Sequence, residues 1–185
     1  MIIHNSLDNI PALPEPIALT IGTFDGVHLG HQHLFAELKK HGAPVVVTFS
    51  NHPSEILRPF DVPAPILTLN EKLELFAQFG IAMAIVIPFT HALSQIPYDE
   101  FLKKLTFSTI VGGEDMRIGA RGEGNRETLQ QLGFKTVFLP KFTLDGTIIS
   151  ARLIRELIKT HQIDQASKLL GHTKGILWLD SLAGS

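Results

Sequence analysis

The sequence predicts an α/β fold, a parallel sheet with helices on both faces, on three observations. Apolar runs of strand length alternate with segments of helical period, the runs are apolar enough to be buried on both sides, and glycines close the helical segments. With 185 residues, 44% of them hydrophobic, the chain suits one domain with a well-buried core. That domain is expected over residues 1–172, followed by an apolar tail at 173–185.

Residues 17–22 read as the first strand. Residues 31–41 place Leu34, Phe35 and Leu38 on one helical face and stop at Gly42, a good terminator. The second strand, PVVVTF at 44–49, is rich in β-branched residues. Asn70 is expected to cap a helix with Leu73, Phe76 and Ala77 facing inward, closed by Gly80 before a strand at 82–88. The unit then repeats, with a helix at 98–105 behind Pro97, a short strand at 109–112, a helix at 126–132 and a strand at 136–140. An extended stretch at 147–150 and helices at 152–160 and 164–170 follow. Two stretches stand outside this scheme. Residues 51–65 hold four prolines and are expected to form an ordered loop or flap, while 112–124 hold five glycines, which let backbone approach a ligand closely.

A formal charge of -2 gives no basic field for a nucleic-acid backbone, so phosphate recognition must be local, which suits a small anionic ligand. The absence of cysteine excludes a disulfide framework, a thiolate zinc site and a cysteine nucleophile, and agrees with a reducing cytoplasm. The N-terminus lacks a basic start followed by a long apolar run. The longest apolar stretch, IAMAIVIPF at 81–89, is far short of the roughly 20 residues that cross a bilayer. The expectation is a cytoplasmic protein, neither secreted nor membrane-spanning.

The chemistry concentrates in GTFDGVHLGH, residues 22–31, where the first strand runs into a glycine loop and then a helix. Such a loop lies at the carboxyl edge of the sheet, where open α/β sheets bind ligands. Gly22, Gly26 and Gly30 allow tight turns, and the helix start offers free N–H groups to phosphate oxygens. His28 and His31, three apart on a loop entering a helix, can aim both imidazoles at the place a phosphate would rest and stabilise charge developing on it. A metal pair or two ordinary surface histidines are the plain alternatives; a zinc site would need His52 or Asp25 as a third ligand.

GTFDGVHLGHQHL closely resembles the first motif of the HxGH nucleotidyltransferases, and its FDGVH form resembles the flavin adenylyltransferase module of bacterial bifunctional riboflavin kinase/FMN adenylyltransferases. Further matches extend the resemblance over about residues 15–172. TFSNHP at 48–53 is similar to the family's TFxPHP, GEDMRIG at 113–119 to its VGxDFxFG, SARLIR at 150–155 to its SSTxIR, and LLG at 169–171 to the LLG near the module's end.

The resemblance implies a Rossmann-like fold and transfer of AMP from ATP, assisted by magnesium, to the phosphate of FMN, giving FAD and pyrophosphate. His28 and His31 would hold the ATP phosphates, with Gly22, Thr23, Phe24, Asp25, Gly26 and Gly30 lining the nucleotide. Ser150 and Arg155 would complete a triphosphate clamp, joined by Arg152. Thr48, Asn51, His52 and Pro53 would lie on the flavin-phosphate side, with Met116 and Arg117. Asp115 would approach the phosphates or magnesium, and Asn125 the substrate phosphates or ribityl chain. No metal-ligand set is implied. A solvated helix charge is the plain alternative for Arg155, a surface loop residue for His52 and a turn former for Asp115.

Several positions depart from the family pattern. Met116 and Ile118 stand where aromatic residues are usual, Gly112 replaces a valine, Asn51 replaces a proline, and SARLIR lacks two hydroxyls of SSTxIR. No riboflavin kinase domain is expected after LLG within these 185 residues, and Ile176, Leu177, Trp178 and Leu179 are apolar enough to dock on the domain or to support self-association. Two other readings therefore stand beside FMN adenylyl transfer: nucleotidyl transfer to another phosphorylated acceptor, and an ATP- or flavin-binding module with impaired catalysis.

Overall fold

The structure, a computed structural model, describes residues 1–175. Ile176 to Leu179, expected to dock, lie outside the described residues. Six strands, β1 (Ile2–His4), β2 (Ile17–Ile21), β3 (Ala43–Phe49), β4 (Met83–Ile87), β5 (Thr109–Gly113) and β6 (Lys135–Leu139), form one sheet in the order β1-β4-β3-β2-β5-β6. Every neighbouring pair is parallel. The chain steps outward from β2 through β3 to β4, then returns to place β5 on the other side of β2. The strand order thus reverses between β2 and β5, and the carboxyl ends there open a crevice.

The connecting helices are α1 (Leu29–Leu38), α2 (Ser54–Leu57), α3 (Leu69–Gln78), α4 (His91–Ser94), α5 (Tyr98–Leu102), α6 (Arg126–Gln131), α7 (Ala151–Lys159) and α8 (Ile163–Leu170). Successive strand side chains divide between two cores, as the pleat requires. Ala18, Val46, Ala84 and Val86 meet α1, α3, α7 and α8 through Phe35, Phe76, Ile154 and Leu170. Ile17, Leu19, Val45 and Ile85 meet Phe101 and Leu102 of α5 and Leu129 of α6 on the other face. Each of the valine, leucine, isoleucine and phenylalanine side chains contributes about 1.5–3 kcal/mol by leaving water, so the two cores bind the helices to the sheet from both sides.

The α/β expectation agrees with this architecture, with local corrections. β1 was not anticipated: it is three residues long at the sheet edge, and Ile2 and Ile3 remain 40% and 50% exposed, so no burial pattern marks it. Thr68, not Asn70, caps α3, through a capping box with Glu71; the inward face carries Lys72, Leu75 and Phe76, and Ala77 is exposed. The proline-rich stretch contains the short α2. The extended stretch near 147 forms a hairpin, β7 (Thr143–Leu144) with β8 (Thr147–Ile148), through Asp145 and Gly146 at φ 50° and 78°.

Candidate active site

After β2, the Gly22 N–H still donates to the Val47 carbonyl at 3.0 Å before the chain turns away from the sheet. The turn is tight, with Phe24 and Val27 at φ 51° and 38° and Gly26 at 79°. Side chains in this left-handed region cost about 1–2 kcal/mol each. Packing of Phe24 on Phe35 and Phe76, with ring centroids 5.2 and 5.9 Å away, offsets that cost. The turn delivers His28 to the cap position of α1 and His31 to its first turn. Their rings stack with centroids 3.6 Å apart, and the Phe24 ring meets His31 edge-on at 5.2 Å. Gly30 makes room: a Cβ there would lie 3.2 Å from the His28 ring.

Burial, opposed by a backbone hydrogen bond and reinforced by the charge of His172, lowers the His28 pKa from 6.5 to about 4. Burial, then the charges of His28 and Lys72, hold His31 well below the ordinary value. Both rings are therefore neutral at pH 7. The Nδ1 of each is buried without a hydrogen-bond partner, as is Thr20 Oγ1. His28, His31 and Thr20 line one cleft of about 430 Å³. Buried polar atoms are nearly always paired in folded proteins, so three unpaired atoms on residues that line one cleft set it apart from ordinary packing.

A stability consequence follows from the neutral imidazoles. The folded pKa of His28 lies below its unfolded value, so between pH 6.5 and about 4 the unfolded chain binds a proton that the folded chain does not. Stability is thus lost as pH falls through that window, by about 3 kcal/mol from His28, and the loss levels off below it. Thermal melts from pH 7 to 4 are expected to show Tm falling across this range, with a flatter slope for His28→Gln; an unchanged slope in the variant would contradict the assignment.

Of the residues expected at the site, the loop brings Gly22, Thr23, Phe24, Asp25 and Gly30 to the cleft. His52 joins from the flap, Asp115 and Met116 from beyond β5, and Ser150 and Arg155 from the start of α7. Ser150 caps α7, its Oγ accepting from Leu153 N–H at 3.2 Å. Arg155 is held in place: it donates to the Asp25 carboxylate and, through Nε, to the Ala64 carbonyl at 2.7 Å. Asp25 Oδ1 accepts from Ile66 N–H at 3.0 Å, so loop, flap and α7 meet at this ion pair. His52 Nδ1 accepts from Ser54 N–H at 3.1 Å, and burial lowers the His52 pKa.

Other expected residues stay outside the cleft. Arg152 is exposed on α7 and is not part of the cleft lining. Gly26 turns its carbonyl to His172 Nε2, which donates at 2.8 Å. Thr48 is fully buried. Asn51 brackets the Phe89 backbone, accepting from its N–H at 2.7 Å and donating to its carbonyl at 3.1 Å. Asn125 caps α6, its Oδ1 accepting from the Glu127 and Thr128 N–H groups. Pro53 and Arg117 line a second cavity of about 340 Å³, walled by Phe49, Phe89, Phe101 and Ile118. This cavity is largely apolar and shares Ile21, Gly22 and Thr23 with the cleft.

Sequence reasoning missed three contributors. Thr20 hides inside a strand, Lys141 follows β6 and pairs with Asp115 at 3.4 Å at the cleft, and Lys72 reads as a helix charge. Position at the carboxyl end of a strand was the available indication for Lys141. Among the described residues no group of three or more His, Cys, Asp or Glu side chains could hold a metal ion. The cleft carboxylates are Asp25, committed to Arg155, and Asp115. This donor set fits magnesium that arrives on nucleotide phosphates, a common mode for that ion. Among the described residues no helix is long and apolar enough to cross a membrane.

Comparison with known proteins places this geometry in context. Residues 10–153 match the family model described as FAD synthetase. The chain is 32% identical over 184 residues, 92% of its length, to the bifunctional riboflavin kinase/FMN adenylyltransferase of Escherichia coli (strain K12). It is 31% identical over 180 residues, 89% of its length, to the protein of that name from Buchnera aphidicola subsp. Schizaphis graminum. It spans 58% of the length of each of these relatives. A solved structure described as a macrolide-efflux protein from Streptococcus pneumoniae superposes on 92% of this chain and 60% of its own, with a TM-score of 0.81 and 26% identity. The pantoate-beta-alanine ligase of Francisella tularensis, at 13% identity and a TM-score of 0.59 over 89% of this chain and 78% of its own, shares the fold.

Proposed function

This chain belongs to the FAD synthetase family, and we propose on that premise that it transfers the adenylyl group of ATP to the phosphate of FMN, forming FAD and releasing pyrophosphate. The observation that carries the reading is the pair of adjoining cavities: a cleft that presents two neutral, partly unpaired histidines together with Ser150 and Arg155, and an apolar, aromatic-walled cavity, the two sharing Ile21, Gly22 and Thr23. A nucleotide suits the first and a flat ring system the second. Met116 and Ile118 lack the family's aromatic rings, but Phe49 and Phe89, packed edge-to-face at 5.1 Å, supply aromatic surface to the second cavity. That favours a flavin over other phosphorylated acceptors.

In the proposed reaction an FMN phosphate oxygen attacks the α-phosphorus of ATP as the bond from that phosphorus to the bridging oxygen breaks, and pyrophosphate leaves with the bonding electrons. The attacking phosphate is already anionic, so no general base is required and catalysis is positioning and charge stabilisation. His28 and His31 would donate to phosphate oxygens as negative charge grows on them. The start of α7, capped by Ser150 and carrying Arg155, would bind the triphosphate. Magnesium, brought with ATP, would neutralise charge on the leaving group, and Asp115, paired among the described residues only with the half-exposed Lys141, would be the carboxylate to approach it. The riboflavin kinase activity in the relatives' name is no part of this proposal. The lack of cysteine suits the reducing cytoplasm, where we place the reaction.

The test is direct. Purified protein with ATP, magnesium and FMN is expected to yield FAD and pyrophosphate in equal amounts, separated by chromatography. No FAD under these conditions, with pyrophosphate released in the presence of another phosphorylated acceptor, would overturn the choice of FMN. Binding of ATP and FMN without product would overturn the enzyme reading.

A further inference from the structure

Lys72 lies on the inward face of α3 and is 7% exposed. Burial lowers its pKa from 10.5 to about 8, against the opposing pull of Asp25. An ammonium has three N–H donors, and all three are used: to the Thr23 carbonyl at 3.2 Å, the Thr48 hydroxyl at 3.1 Å and the Phe49 carbonyl at 3.0 Å. Thr48 Oγ1 also donates to the Thr23 carbonyl at 3.2 Å, closing a small polar ring inside the protein. A buried cation is a costly way to fill space, and an apolar side chain of similar length would cost less desolvation.

The three acceptors lie where β2 and β3 cease to pair. The last aligned residues are Ile21 and Val47, followed by the Gly22 N–H bond to the Val47 carbonyl. Beyond that point one chain becomes the histidine loop and the other enters the proline-rich flap, so no ladder bond holds them together. Thr23 lines the nucleotide cleft, the aromatic cavity and a smaller cavity beside the flap. Its carbonyl is fixed by Lys72 and Thr48 jointly. A shift at Thr23 would therefore move the two substrates relative to each other.

We propose that Lys72 is a positioning residue for adenylyl transfer, its three-way bonded ammonium holding the diverging ends of β2 and β3 so that Thr23 and the histidine loop keep the nucleotide cleft and the aromatic cavity in register. The inference rests on the function proposed above and adds a residue that lies outside the lining of both the nucleotide cleft and the aromatic cavity. The charged and titratable groups around Lys72 are Asp25 on the loop, His31 on α1, and His52 and Glu55 across the smaller cavity. Its charge also helps keep His31 neutral.

The test compares FAD formation by the wild type, Lys72→Met, Lys72→Arg and Thr48→Val, with circular dichroism to verify folding. Lys72→Met is expected to lose roughly 10²-fold in kcat, the scale of a misplaced reacting group, with a much smaller change in KM for ATP or FMN. Lys72→Arg, which keeps the charge and can remake some of the bonds, should recover part of the loss. The wild-type rate should fall above about pH 8 as the ammonium loses its proton, and that limb should be absent from Lys72→Met. A folded Lys72→Met with wild-type kcat, or a wild-type rate that is flat from pH 7 to 9.5, would overturn the proposal. If Lys72→Met does not fold, Thr48→Val and the wild-type pH profile decide, and full activity in Thr48→Val would count against it. If the wild type makes no FAD, the functional reading fails separately. Pyrophosphate release by the same variants with another phosphorylated acceptor then decides, equal rates in the wild type and Lys72→Met ruling Lys72 out.

Discussion

Replacement of His28 or His31 by alanine is expected to lower kcat for FAD formation by roughly 10²–10³-fold, with a much smaller change in the affinity for ATP. The two rings stack at 3.6 Å and share one cleft wall, so they act as a unit, and the double variant should lose far less than the product of the two single losses. The split between kcat and affinity follows from their electrostatic state. A neutral imidazole attracts a ground-state triphosphate only modestly, but its fixed N–H gains as charge concentrates on the phosphate oxygens during transfer. His28→Asn, which keeps a donor, should retain more activity than His28→Ala. Gly30→Ala gives a geometric check, because its Cβ would meet the His28 ring at 3.2 Å while both histidines remain present. Stopped-flow or quenched-flow measurement of FAD formation, set beside ATP binding by calorimetry, reads both quantities. Loss of binding equal to the loss of rate would mean that the histidines merely hold nucleotide.

How far this site could be read in advance depended on whether a residue's partner lay nearby in sequence. The glycine loop, its strand and its helix were legible because apolar run, glycines and histidines are contiguous, and the structure brings His28 and His31 together as that contiguity implies. Thr68 and Asn125 carry readable capping patterns, Thr-x-x-Glu and Asn-x-x-Thr, and each caps its helix. Lys72 was not legible. On a helix with Glu71 and Glu74 beside it, a lysine looks solvated, and only the β2–β3 divergence, assembled from residues 23, 48 and 49, shows its purpose. The same holds for Arg152 and Arg155. They are three residues apart on one helix, yet one is exposed and the other reaches a carboxylate 130 positions away.

That carboxylate makes Arg155 the second position where a large effect is expected. Arg155→Met keeps the apolar stem but leaves Asp25, with 9% side-chain exposure, facing the cleft without its cation. Breaking a buried pair costs about 3–5 kcal/mol, and because the Arg155 side chain retains 22% exposure the loss here is expected nearer 2–3 kcal/mol. The change also frees the Ala64 carbonyl, so the flap end loses one of its two ties to this corner, the Ile66 N–H bond to Asp25 being the other. Asp25→Asn should cost a similar amount, since an amide can still accept from Ile66 but no longer offers charge to Arg155. In a double-mutant cycle followed by urea unfolding, the coupling between the two positions should be about 1–3 kcal/mol. Kinetics then separate the partners. If Arg155 binds the triphosphate as proposed, Arg155→Met should lose roughly 10²-fold in kcat/KM for ATP, while Asp25→Asn, which leaves the guanidinium in the cleft, should lose much less. Equal kinetic losses in the two variants would instead mean that the pair serves only to fasten the flap to α7, and that the clamp on ATP lies elsewhere in the cleft, with Lys141 the next cation to replace.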